Sequence, residues 1–343
     1  MADALLSPPV GAAMLAATAV TTVYCAKKVR EELDESKIPL MGVAGAFIFA
    51  AQMLNFTIPG TGSSGHIGGG LLLAALLGPY AAFLVMASVL GVQALFFADG
   101  GLLALGANVF NLGFFPAFIA YPLIYRKIVG DRPTTGRVVA GSTIGAIVGL
   151  QIGAVGVVLQ TVASGVTELP LAAFLAMMLP IHLAIGLVEG LVTAGVIVFV
   201  LKAQPEILER TATGRSLSGI AMKPVLIGLT IAALLSGTAF AWFASGSPDG
   251  LEWSIAAVAG TDEIEGASAS LHESLAGFQE QLSFLPDYGF RASGEEAEGA
   301  EAWPAVDAGT STAGVVGAAI TLAFSVAIGL VLRRRAAARR PSV

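Results

Sequence analysis

Between two strongly apolar runs, the stretch from Asn55 to Gly70 collects Gly, Ser, Thr, Asn and a single histidine, His66. Irregular backbone is tolerated at membrane depth only where it is buried in protein or lines a watery cavity. Glycine lets main chain approach a small ligand closely, and imidazole is the commonest side-chain ligand for metals. The chemistry on offer is capture of a metal ion. The plainer reading is a turn with a solvated histidine, and one donor does not decide between them. Other polar groups interrupt apolar runs. Gln93, Asp99, Asn108 and Asn111 gather toward the same end of the middle helices as His66. There they either orient a ligand imidazole from behind or bridge neighbouring helices. His182 and Glu189 are seven residues apart, two helical turns, and so share one helix face. They read as a proton relay or as a packing and partner-contact face, and the second reading is preferred. His272 lies in an acidic stretch and is expected to be exposed.

The elements that position these groups follow from composition. Of 343 residues, 55% are hydrophobic and only 12% charged, against about 25% charged in soluble domains. The apolar runs are long and continuous rather than alternating, so the expected fold is an all-α, polytopic helical membrane protein. The lone Cys25 excludes an intrachain disulfide and any cysteine cluster for zinc or iron–sulfur. The N-terminus lacks a basic region ahead of its first apolar run, so no cleavable signal peptide is expected. There is no glycine-rich phosphate loop ending in Lys-Ser or Lys-Thr. Gly62-Ser63-Ser64 lacks the strand–turn–helix setting of a hydrolase. No basic surface for nucleic acid is evident, and membrane lipid is the expected surroundings.

Apolar runs cover about 5–26, 40–56, 67–97 (broken at Gly78-Pro79), 102–125, 138–162, 171–201, 224–244 and 313–332. Apart from Arg291, every Lys and Arg falls near 27–37, 126–137, 202–223 and 333–340. Placing all four clusters in the cytoplasm puts the N-terminus outside and the C-terminus inside. Counting the Gly78-Pro79 break as a division gives about nine transmembrane helices, seven before the 203–222 linker and two after it. The stretch from Ser245 to Ser311 carries thirteen acidic residues and one basic residue. It then forms an outer loop, flexible around 294–301.

Several ordered blocks resemble the CbiM/NikM family, the substrate-binding membrane subunits of energy-coupling-factor transporters for cobalt or nickel. They are Ala2-Asp3-Ala4-Leu5-Leu6-Ser7-Pro8, Gln52-Met53-Leu54-Asn55-Phe56, Gly62-Ser63-Ser64-Gly65-His66, the stretch from Gln93 to Leu102 with Gly106-Ala107-Asn108, and the stretch from His182 to Gly190. Pro248-Asp249-Gly250-Leu251-Glu252 and Leu285-Pro286-Asp287-Tyr288 resemble the PDGLE module, counterpart of the small CbiN/NikN accessory subunit. The resemblance implies a metal-binding permease over 1–202 and a two-helix PDGLE module over 223–343. It implies Co(II) or Ni(II) as transported substrate, with a scaffold membrane subunit and cytoplasmic ATPases as partners in a prokaryotic cell membrane. It also implies metal ligation by the N-terminal region at Met1 and by His66, with Asn55, Gln93, Asp99 and Asn108 behind them. Family members begin Met-His, whereas this chain reads Met1-Ala2-Asp3. Because the motif resumes at Ala2, the expected start lies two codons upstream and supplies the missing histidine. The alternative function is an ion-coupled secondary transporter working through His182 and Glu189.

Overall fold

The computed structural model describes residues 1–32, 34–167, 169–260, 270–291 and 303–337. The stretch at 294–301 and the basic pair Arg339-Arg340 lie outside the described residues. A single turn at Asp3–Leu5 leads into α1 (Pro8–Glu31), followed by α2 (Lys37–Gln52). Two short strands, β1 (Phe56–Ile58) and β2 (Ser63–Gly65), come next, then α3 (Gly70–Leu77) and α4 (Pro79–Phe97). The remaining helices are α5 (Leu105–Val129), α6 (Thr135–Ser164), α7 (Leu171–Ala203), α8 (Pro205–Ala212), α9 (Lys223–Phe243), α10 (Gly250–Ala259), α11 (Ser270–Leu282) and α12 (Ala308–Ala337).

Seven described helices are long and apolar enough to cross a membrane: α1, α4, α5, α6, α7, α9 and α12. The nine expected from sequence also counted α2 and the piece before Gly78-Pro79. That piece is α3, whose eight residues rise only about 12 Å, against a hydrocarbon core of about 30 Å. The dipeptide does divide two helices: Gly78 has φ +81° and Pro79 opens α4. α4 is the central helix, 72% buried along its apolar stretch, whereas α1 at 17% lies at the edge of the bundle. On α7 the exposed Leu183, Leu187 and Leu191 recur every four residues and form a hydrocarbon-facing stripe.

Without a hydrophobic force between helices in lipid, close approach of small residues drives packing. α6 carries Gly141, Gly145, Gly149 and Gly153 against Tyr125, Ala120, Pro116 and Asn111 of α5. Its other side meets Gly186 and Gly190 of α7, which lie against the backbone of Ile147 and Thr143. At the C-terminal end of the chain, α12 packs along α2, with Gly42 and Gly45 against Leu322, Val326, Thr321 and Ser325. α9 and α12 touch so closely that a Cβ on Gly314 would lie 1.8 Å from the Gly237 carbonyl oxygen.

The basic segments gather at one end of this bundle. Glu35 pairs with Arg333 at 2.7 Å, Asp34 accepts a hydrogen bond from the Leu217 amide, and Lys37, Arg126 and Thr211 line one cavity there. The N-terminus, the β-hairpin, the Ala98–Gly101 turn and α10 occupy the opposite end.

Among the described residues, the β-hairpin is the strand pair that the all-α expectation omitted. β1 and β2 pair antiparallel with Phe56 opposite Gly65, Thr57 opposite Ser64 and Ile58 opposite Ser63. Thr61 closes the turn by donating to the Ile58 carbonyl at 2.8 Å. Three-residue strands are too short to show an alternating pattern in sequence.

Candidate metal centre

The N-terminal segment is pinned over the end of the bundle by hydrogen bonds. The Met1 carbonyl accepts from the Gly101 amide and from Asn108 Nδ2, both at 3.2 Å. Asp3 Oδ1 accepts from the Ala104 amide at 2.8 Å. Leu5 and Leu6 are buried beneath it. His272, expected to be exposed, is instead half-buried: its Nε2 donates to the Leu6 carbonyl at 3.0 Å. The sequence could not show this, because α11 reaches back to a residue 266 positions away.

The His66 loop follows the hairpin and descends to the start of α3. His66 is half-buried, with Nδ1 3.1 Å from the carbonyl oxygen of Ile67. A carbonyl only accepts, so Nδ1 carries the proton and Nε2 keeps its lone pair. Two residues on, the Gly68 and Gly69 amides donate to the two oxygens of Glu189, each at 3.0 Å. Those amides lead into the N-terminus of α3, where peptide dipoles and unpaired N–H groups favour an anion. Glu189 is 3% exposed and sits near the middle of α7. On the other side, Gln52 Nε2 donates to the Gly68 carbonyl at 2.8 Å, and Gln93 Nε2 donates to Gln52 Oε1 at 2.9 Å. The loop is therefore clamped from three helices, α2, α4 and α7.

Two adjoining cavities share Met1, His66 and Asn108. The outer, of about 830 Å³, is also lined by Asn55, Gln93 and Asp99. The inner, of about 120 Å³, is also lined by Asn111, His182 and Glu189. Every residue singled out for chemistry within 1–202 thus borders one or both. Their individual partners differ from a simple backing for an imidazole. Gln93 acts on the loop backbone through Gln52, which sequence reasoning did not single out as a site residue although it is a lone amide in an apolar helix. Asp99 accepts a hydrogen bond from the Tyr288 hydroxyl. Burial and the adjacent Asp99 carboxylate push the Tyr288 phenol well above its usual range. Asn111 and Gln160 exchange amide bonds of 2.8 and 3.1 Å between α5 and α6. His182 Nδ1 donates to the Met178 carbonyl at 2.8 Å.

The segment from Ser245 to Glu252 docks on the hairpin. The Ser245 amide donates to the Asn55 carbonyl and the Ser64 amide to the Pro248 carbonyl, at 2.7 and 2.8 Å. Asp249 caps α10 through the Leu251 and Glu252 amides, and Glu252 returns a bond to the Asp249 amide, a complete capping box. Gly250 packs closely here: a Cβ on it would lie 3.0 Å from Ile185 and 3.3 Å from His182 Cε1, a tight fit that those side chains would have to relax to accept. Trp253 Nε1 donates to the Thr61 carbonyl at 2.9 Å, and its ring packs on Ile58, Ile181 and Ile185. Replacing Trp253 with Ala is expected to cost about 2–3 kcal/mol at this half-buried site. Hydrogen exchange of the hairpin amides should then accelerate well beyond that of α4. Unchanged hairpin exchange in the variant would show that the docking is energetically idle.

Among the described residues no three His, Cys, Asp or Glu side chains converge as a metal cage.

This arrangement is that of a helical membrane protein with a loop-and-terminus cavity at one end of the bundle. Residues 1–207 match the family described as cobalt uptake substrate-specific transmembrane region, CbiM, and residues 223–334 match the PDGLE domain. The chain belongs to the CbiM family, in a form fused to a PDGLE, CbiN-like module. It is 35% identical over 294 residues to a putative fused nickel transport protein NikMN of Archaeoglobus fulgidus, covering 84% of this chain and 85% of that relative. It is 32% identical over 221 residues to the fused nickel transport protein NikMN of Rhodobacter capsulatus, covering 60% of this chain and 62% of that relative. A crystal structure described as a truncated transition metal transporter superposes with a TM-score of 0.53 at 32% identity, over 59% of this chain and 98% of the other.

Proposed function

We propose that the chain is the substrate-binding component of an energy-coupling-factor transporter for Ni(II) or Co(II). It captures the ion from outside a prokaryotic cell between the N-terminal segment and the His66 loop. The observation that carries this reading is that Met1 and His66 line the same two cavities while hydrogen bonds from Gly101, Ala104 and Asn108 hold the N-terminal segment in place. An amine, a deprotonated backbone nitrogen and an imidazole suit square-planar Ni(II), and Co(II) accepts similar donors. The bundle end that gathers the basic segments faces the cytoplasm by the positive-inside rule, which puts the metal-site end and both cavity mouths outside. Nine crossings belong to this reading, with α2 counted as one and the extended His66 loop together with α3 counted as another. So does the division into a permease over 1–202, a linker over 203–222 and a PDGLE module over 223–343. Asp99, Asp249, Glu252 and Asp287 line the outer cavity and raise the local cation concentration. The chain carries no phosphate-binding loop, so a scaffold membrane subunit and cytoplasmic ATPases power release.

Replacing His66 with Ala is expected to abolish Ni(II) and Co(II) binding, a loss of at least a hundredfold in affinity, read by metal analysis of the purified full chain. Retention of full metal occupancy in this variant would refute capture at the loop. Uptake that persists without any ATPase and is lost in Glu189→Gln would support an ion-coupled carrier instead.

A further inference from the structure

His66 and His182 both line the inner cavity, and the two rings are held in the same way. Each directs Nδ1 at a backbone carbonyl, Ile67 for His66 and Met178 for His182, at 3.1 and 2.8 Å. The proton is thereby fixed on Nδ1, and Nε2 is left as a lone-pair donor in the tautomer that binds divalent transition metals. Among the described residues neither Nε2 has a hydrogen-bond partner. His66 borders both cavities, whereas His182 borders only the inner one. An ion that moved from the outer cavity into the inner one would enter a space lined by both imidazoles.

The electrostatics of the inner cavity favour a cation. Glu189 and Asp249 both line it, and neither is in an ion pair among the described residues. Their carboxylates receive only amide N–H groups. A carboxylate inside a membrane protein is costly without a compensating charge. The volume of about 120 Å³ holds about four waters, room for a divalent ion that retains part of its hydration shell. His182 and Glu189 are two helical turns apart, about 10 Å along the axis, so Glu189 acts by its field and the imidazole supplies the bond.

We propose that His182 Nε2 is a second ligand for the transported divalent ion, a transit position in the inner cavity reached after His66. It rests on the capture reading above. With one imidazole, water and nearby carboxylates rather than a chelate, the position binds weakly. A station on a transport path must do so, because an ion held too tightly does not leave. Asp249 belongs to the PDGLE segment, so the two halves of the chain build this position together.

The test uses the full chain with Ni(II) as probe and compares wild type with His182→Ala and His182→Asn. Asn retains a donor for the Met178 carbonyl but has no ring nitrogen to coordinate metal. Titration to millimolar Ni(II) is expected to give one tight and one weak equivalent in wild type. Both variants should keep the tight equivalent and lose the weak one. Initial Ni(II) uptake by host cells carrying the native transport partners is expected to fall at least tenfold in both. Uptake within twofold of wild type, or a weak equivalent that survives in His182→Asn, overturns the proposal. Loss of the tight equivalent in a folded His182→Asn also overturns it, because His182 then belongs to the capture site. Wild-type protein that neither binds nor transports Ni(II) or Co(II) defeats the capture reading itself, a pattern distinct from failure of the transit position alone.

Discussion

Replacing Glu189 with Ala is expected to release the His66 loop from the bundle. The carboxylate is 3% exposed and accepts two amide bonds of 3.0 Å from consecutive residues. Hydrogen bonds to a charged group contribute about 1.5–3 kcal/mol each, and the truncation also leaves two buried donors without acceptors. The summed loss is roughly 3–5 kcal/mol, comparable to breaking a buried pair. Thermal unfolding in detergent should show a clearly lower midpoint, and hydrogen exchange of the Gly68 and Gly69 amides should approach that of a free loop. Metal occupancy at His66 should fall with it, because the imidazole is two residues from the released backbone. Glu189→Gln keeps the shape and one carbonyl acceptor but turns an NH₂ group toward the second amide, so its loss should be intermediate. Equal midpoints and equal exchange in wild type and Glu189→Ala would show that Gln52 alone holds the loop.

A second large effect is expected where the C-terminal helices meet. A Cβ on Gly314 would lie 1.8 Å from the Gly237 carbonyl oxygen and 2.5–2.6 Å from the carbon atoms beside it. Backbone on both sides leaves no flexible side-chain end to move aside. Gly314→Leu must therefore push α9 and α12 apart, and overpacking against backbone on both sides is expected at the upper end of the usual range, about 3 kcal/mol. Because α12 also lies along α2 through Gly42 and Gly45, displacement should spread to the hairpin-docking segment after α9. Limited proteolysis should then cut sooner in the 245–260 stretch, with the α4–α7 bundle retained. A cleavage pattern identical to wild type would mean that the helices cross with more freedom than their spacing allows.

Much of the candidate site was legible in the chain before its fold was known. The composition required membrane helices, since so few charges cannot cover a soluble surface of this size. The clustering of Lys and Arg required four segments to share one end, and the ion pair of Glu35 with Arg333 and the cavity of Lys37 and Arg126 place them there. His66 stood out because a polar, glycine-rich interruption of an apolar run must line something. Sequence spacing placed His182 and Glu189 on one face of one helix, and both border the inner cavity.

The partners of those groups were decided by tertiary structure alone. Nothing near Glu189 in sequence indicates that its oxygens meet amides 120 and 121 residues away. Gln52, which joins Gln93 to the loop, looks like any lone amide in a helix until the Gly68 carbonyl is brought to it. The hairpin was hidden because six residues are too few to display a period of two. The Gly78-Pro79 break already marked the piece before it as short, and the structure shortens it further to the eight residues of α3. Local sequence fixes which groups are polar, which are small and which prefer helix. The long-range packing of α2, α4, α5 and α7 fixes which of them face one another, because each contact joins segments that only the folded chain makes neighbours.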